Sequence, residues 1–120
     1  MKIKENDIFY SNTGIVTFYQ VVKVYESGRI RIKKIEKIET PTECGYEFLA
    51  KPLKNKFCPN EEISEVNKHD MDIIDNDKGV IKLVKYFDDG IPFFDLKCND
   101  WATLYEGKPV ISSYWYVWMK

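Results

Sequence analysis

Two β-rich runs joined through a glycine turn constrain this chain more than any other feature. Ile15-Val16-Thr17-Phe18-Tyr19-Gln20-Val21-Val22-Lys23-Val24-Tyr25 is dense in β-branched and aromatic side chains, which fit a pleated, half-buried surface, and it stops at Glu26-Ser27-Gly28. Arg29-Ile30-Arg31-Ile32-Lys33 then alternates, so Ile30 and Ile32 share one face while Arg29, Arg31 and Lys33 share the other. The pair reads as a β-hairpin. After Lys33 the alternation slips, because Ile35 and Ile38 fall three apart; a bulge in this strand is expected to shift the face. Thr40-Pro41-Thr42 is expected to end the pairing.

Tyr46-Glu47-Phe48-Leu49-Ala50 reads as a further strand, with Pro52 near its end or on an edge. A second hairpin runs from Val80 to Phe87, turns at Asp88-Asp89-Gly90 and returns from Ile91 to Leu96. Val110 to Trp118 supplies a closing strand. These elements predict a mainly β fold, a small, partly open SH3-like β-barrel or sandwich, with an irregular acidic insertion around residues 55–78. At 120 residues the chain makes a single domain, 1–120, and its 15% aromatic and 31% charged content excludes the disordered class. No apolar run approaches the roughly 18 residues of a membrane span, and the N-terminus lacks the apolar core of a signal peptide. A soluble, intracellular protein without a membrane partner is therefore expected. No catalytic motif is visible, which predicts a protein that is not an enzyme.

Chemistry could reside in Cys44, Cys58, His69 and Cys98, all in or beside expected loops. Three sulfurs and one imidazole complete a tetrahedral Zn²⁺ set, closed and hence structural. Such a clip would tie the corner at Cys44, the acidic insertion and the strand end at Cys98. The ligands stand 14, 11 and 29 positions apart, without the close pairs of common zinc sites. The competing reading is three reduced cysteines and a surface histidine.

Charge is unevenly spread although the net charge is only −1. The run from Lys23 to Lys37 holds six basic and two acidic residues. Within it, Arg29, Arg31, Lys33 and Lys34 could meet a phosphate backbone, or simply keep a strand edge solvated. From Asn60 to Lys78 there are seven acidic residues, Glu61, Glu62, Glu65, Asp70, Asp72, Asp75 and Asp77, against Lys68 and Lys78. That stretch could occupy a basic groove on a partner protein, or serve as a solubilising loop.

Two segments carry a resemblance. Asp7-Ile8-Phe9-Tyr10-Ser11 with Phe18-Tyr19-Gln20-Val21-Val22-Lys23-Val24 resembles the opening of a family of small proteins encoded by bacterial viruses. Leu104-Tyr105-Glu106-Gly107-Lys108-Pro109-Val110 resembles that family's closing pattern, with Tyr105-Glu106 where Trp-Asp is usual. Small phage accessory proteins of this kind are similar to phage-encoded anti-CRISPR proteins that block Cas9. The resemblance implies a non-enzymatic inhibitor in the cytoplasm of a bacterial host, bound to a defence effector such as a Cas9-type nuclease. The acidic run, with Trp101 and Tyr105 as exposed aromatics, would then form the contact surface. The alternative is a nucleic-acid-binding accessory domain that uses the basic strand face.

Overall fold

The β-branched and aromatic runs do become strands, and the strands form one antiparallel sheet. The computed structural model describes residues 2–12, 15–58, 73–75, 79–96 and 100–113. Its strands are β1 (Ile8–Asn12), β2 (Val16–Val24), β3 (Arg29–Pro41), β4 (Glu47–Phe57), β5 (Ile73–Asp75), β6 (Gly79–Leu83), β7 (Lys85–Tyr86), β8 (Pro92–Leu96), β9 (Asp100–Leu104) and β10 (Val110–Ser113). The main path through the sheet is β10-β4-β3-β2-β1-β9-β8-β7, with β6 added to β3 and β5 to β6. No helix occurs among the described residues, so the mainly β, partly open architecture is the observed one. No helix there is long and apolar enough to cross a membrane.

Both expected hairpin turns form. The Tyr25 amide donates to the Arg29 carbonyl (2.9 Å), and Gly28 closes the turn at φ +85°. In the second, Gly90 donates to the Phe87 carbonyl (2.8 Å) at φ +86°, and the Asp89 carboxylate accepts from the Ile91 amide (3.1 Å). The incoming arm of this second hairpin, however, is split at Val84. Residues 80–83 pair with β3, and only Lys85 and Tyr86 pair with β8.

β3 explains the slipped alternation. Its first half lies between β2 and β6, and Ile30 and Ile32 enter one core with Ile3, Phe9, Tyr19, Val21, Val80, Phe94, Leu96 and Ala102. Ile35, three residues after Ile32, points to the opposite face and joins a second core with Val16, Phe18 and Ala50. The buried side changes as the sheet coils, and Ile38, the other residue of the slip, is 52% exposed beyond an irregularity between Ile35 and Lys37. The register breaks there on β4: β3 advances from Ile35 to Lys37 while β4 runs back from Phe57 to Pro52. The other irregularity lies on β2, between Val21 and Lys23.

The pairing ends within Thr40-Pro41-Thr42, as expected: Pro41, opposite Phe48, is the last residue of β3. Pro52 lies within β4 and on an edge, where the missing amide is tolerated because β10 covers β4 only from Glu47 to Ala50. The insertion expected around 55–78 is strand at both described margins, β4 to Phe57 and β5 from Ile73.

The break in β4 is held by a polar cluster. Gln20 is only 1% exposed, and its Oε1 accepts from the Asn55 amide (2.7 Å). Its Nε2 donates to Asn55 Oδ1 (2.8 Å) and to Asn6 Oδ1 (3.1 Å). Asn6 and Asn55 are the two non-glycine residues with positive φ among those described, at +75° and +68°. Asparagine tolerates that region best among side-chain-bearing residues, and Gln20 bonds both side chains.

Candidate interaction surfaces

Coiling leaves one face of the β2–β3 hairpin open where the other is buried. Arg29, Arg31 and Lys33 share this open face, and the register opposite Arg31 adds Lys23. Lys34 does not belong to it. Its cross-strand neighbour is Tyr19, a member of the first core, so it stands on the reverse side. Arg31 is the most constrained of the group: its Nε donates to the Tyr25 hydroxyl (3.0 Å), and its Nη1 is buried with no hydrogen-bond acceptor among the described residues. Lys23 Nζ lies 5.2 Å from the Tyr25 ring centroid, and Lys33 Nζ lies 5.3 Å from that of Phe57. The ion pairs formed among the described residues, Lys37–Glu39 and Lys85–Asp95, lie elsewhere. Among the described residues, no ion pair compensates the positive charge of this face.

A second surface lies on the outer side of β7–β8–β9. Phe94, Leu96 and Ala102 point inward to the first core, so Phe93, Asp95 and Trp101 alternate outward. Phe87 stacks on Phe93 with centroids 4.0 Å apart and planes 14° apart. Trp101 meets Phe87 edge-on at 6.1 Å and is still 48% exposed. The Lys85–Asp95 ion pair crosses the same strands. The result is a rigid aromatic ledge with water on one side. Phe87 and Phe93 were not singled out in the sequence, although the one-residue offset of Phe93 from the inward-facing Phe94 marks it as outward.

Tyr105 is partly buried where an exposed aromatic was expected. Its ring packs edge-on against Tyr10 (6.1 Å) and Phe18 (5.4 Å) at the margin of the second core, and this burial pushes its phenol above the ordinary value. No family model, curated protein or solved structure matches this chain.

Of the expected metal ligands, Cys44 and Cys58 are described, and His69 and Cys98 lie outside the described residues. Cys44 is exposed in the turn before β4, where its amide donates to Thr42 Oγ1 (3.2 Å). Cys58 follows the far end of β4, its amide bonded to the Lys34 carbonyl (3.0 Å). Between Lys34 and Thr42 the chain is extended strand, and about 3.3 Å per residue sets the two anchor points roughly 20 Å or more apart. Thiolates sharing one zinc ion each sit about 2.3 Å from it. The structure thus does not bring Cys44 and Cys58 together, and no cluster of three potential ligands occurs among the described residues. Of the acidic run, Glu61, Glu62, Glu65, Asp70, Asp72 and Asp77 lie outside the described residues, and Asp75 closes β5 opposite Gly79.

Proposed function

We propose that this chain is a non-enzymatic binding protein of a bacterial virus that inhibits a host defence effector, with a Cas9-type nuclease as the first candidate. The reading of the origin rests on the resemblance of residues 7–11, 18–24 and 104–110. The reading as a docking protein rests on one observation, the exposed Trp101 braced by Phe87 and Phe93. A large aromatic held rigid before binding loses little side-chain entropy on contact, which is the property of interface hot spots. The acidic run supplies the charge that would favour a basic, nucleic-acid-handling partner.

The test is inhibition of a Cas9–guide complex together with affinity capture of that complex. Trp101→Ala is expected to weaken capture by roughly thirtyfold, equivalent to about 2 kcal/mol. Reversing Glu61, Glu62 and Glu65 to lysine is expected to weaken it more at low salt than at high salt. Full inhibition by both variants would remove this surface assignment.

The basic face favours a second reading, a nucleic-acid-binding accessory domain, because Lys23, Arg29 and Arg31 lie together without an ion pair among the described residues. Gel shifts at rising salt test it. Absence of any shift at low salt eliminates it.

A further inference from the structure

The first core opens at one end into a groove of about 430 Å³, within the range of roughly 300–1,000 Å³ that small-molecule sites occupy. Its floor is formed by Ile3 and Ile30, which belong to the first core, and Val24 and Val84 continue the apolar surface outward. Tyr25 and Tyr86 also line it. Two tethers hold the groove open. The Val84 amide donates to the Gly28 carbonyl (3.2 Å), joining the β6–β7 junction to the tip of the β2–β3 hairpin. Tyr25 is fixed by the Arg31 hydrogen bond at its hydroxyl and by Lys23 near its ring.

The electrostatics of the lining are lopsided. Lys2 and Arg29 are exposed there against the single acid Glu26, and neither cation enters an ion pair among the described residues.

We infer that this groove binds a small amphiphilic anion, an aliphatic carboxylate whose chain lies over Ile3, Ile30 and Val84 and whose head group meets Arg29 and Lys2. The apolar floor provides affinity that is insensitive to charge, and the two cations choose the sign of the head group. The inference is independent of the docking reading, since the groove lies on the inner side of the sheet from Trp101.

The experiment is a titration of isotope-labelled protein with decanoate, followed by amide chemical shifts, with decylamine in parallel. Decanoate is expected to give saturable shifts confined to residues 3, 24–30 and 84–86. A charge-assisted head-group contact gives it roughly tenfold tighter binding than decylamine. Arg29→Gln should narrow that preference, and Val24→Trp should fill the groove and abolish binding of both probes. Arg29 is exposed and Val24 is 37% exposed, so neither change disturbs the buried core. Unsaturable or scattered shifts, equal binding of the two probes, or undiminished binding by Val24→Trp would each overturn the inference.

Discussion

The first core encloses ten buried residues, and backbone ladders run along β6-β3-β2-β1-β9-β8 around it, with β6 returning against β8. The second has four buried residues, and partly buried neighbours such as Tyr10, Phe57 and Tyr105 complete it. Their closures differ in kind. The second core is closed between β10 and the facing ends of β1 and β2 by side chains: Ser112 Oγ accepts the Val16 amide (3.0 Å), and Asn12 Nδ2 donates to the Ile111 carbonyl (3.4 Å), while Lys37 Nζ of β3 donates to the Val16 carbonyl (2.6 Å). A ladder distributes its cohesion over many bonds, whereas a seam of side-chain bonds can part locally. The comparison teaches that one sheet can hold two cores of unequal cooperativity, with β1, β2 and β3 as the shared wall.

The largest expected effect attacks the first core. Phe94 is fully buried and packs against Phe9 (5.1 Å) and Tyr19 (5.8 Å). Phe94→Ala should cost about 3–5 kcal/mol in urea unfolding and shift every spectroscopic probe together. If only part of the molecule responds, the first core is not the cooperative unit.

Next comes Gly79, at the start of β6. Its φ is +99°, and an added Cβ would land on the Ile32 carbonyl oxygen, so Gly79→Ala forces β6 away from β3. A loss of roughly 3 kcal/mol is expected in thermal or denaturant unfolding. A neutral result would mean that β6 is not needed to close the ring around the first core.

A smaller, local effect should distinguish the second core. Ser112 is fully buried, and Ser112→Ala leaves the Val16 amide without its acceptor, at a cost of about 1–3 kcal/mol. Hydrogen exchange should then accelerate in β10 and in β4 from Glu47 to Ala50 well before β1 and β9. Uniform acceleration would show that the two cores open as one.

The smallest effect is a pH dependence. Burial raises the Tyr105 phenol above 10.0, so the unfolded chain loses this proton first. Its contribution to stability is fully present below pH 10 and declines as pH rises through the folded-state value. Tyr105→Phe should flatten that alkaline decline. Burial depresses the Lys37 ammonium more than Glu39 raises it, so Lys37 works in the opposite direction as pH rises toward 10.5, and the variant isolates the phenol.

Local chemistry made the turns readable. Gly28 and Gly90 adopt the positive φ that their tight turns require, and Ile30 and Ile32 fall on one buried side as their spacing predicts. The basic face was partly readable for the same reason: alternation alone groups Arg29, Arg31 and Lys33. Lys34 was misplaced because membership of a charged run is not membership of a face. Cys44 and Cys58 looked available to one ion because loop positions carry no distance, and β4 then set them at opposite ends of a ribbon. Tyr105 looked like a surface aromatic because its burial depends on Tyr10 and Phe18, both far away in sequence.

Taken alone, the order of residues determined strands, turns and the alternation of sides, since these follow from backbone sterics and side-chain period within a few neighbours. Which side of each strand is inside was decided only when the sheet coiled. Coiling sends Ile32 and Ile35 into different cores, makes Gly79 a contact point and turns Gln20 into the partner of two asparagines. Those outcomes depend on groups brought together from distant segments, and a period-two pattern reads the same whichever side is finally covered.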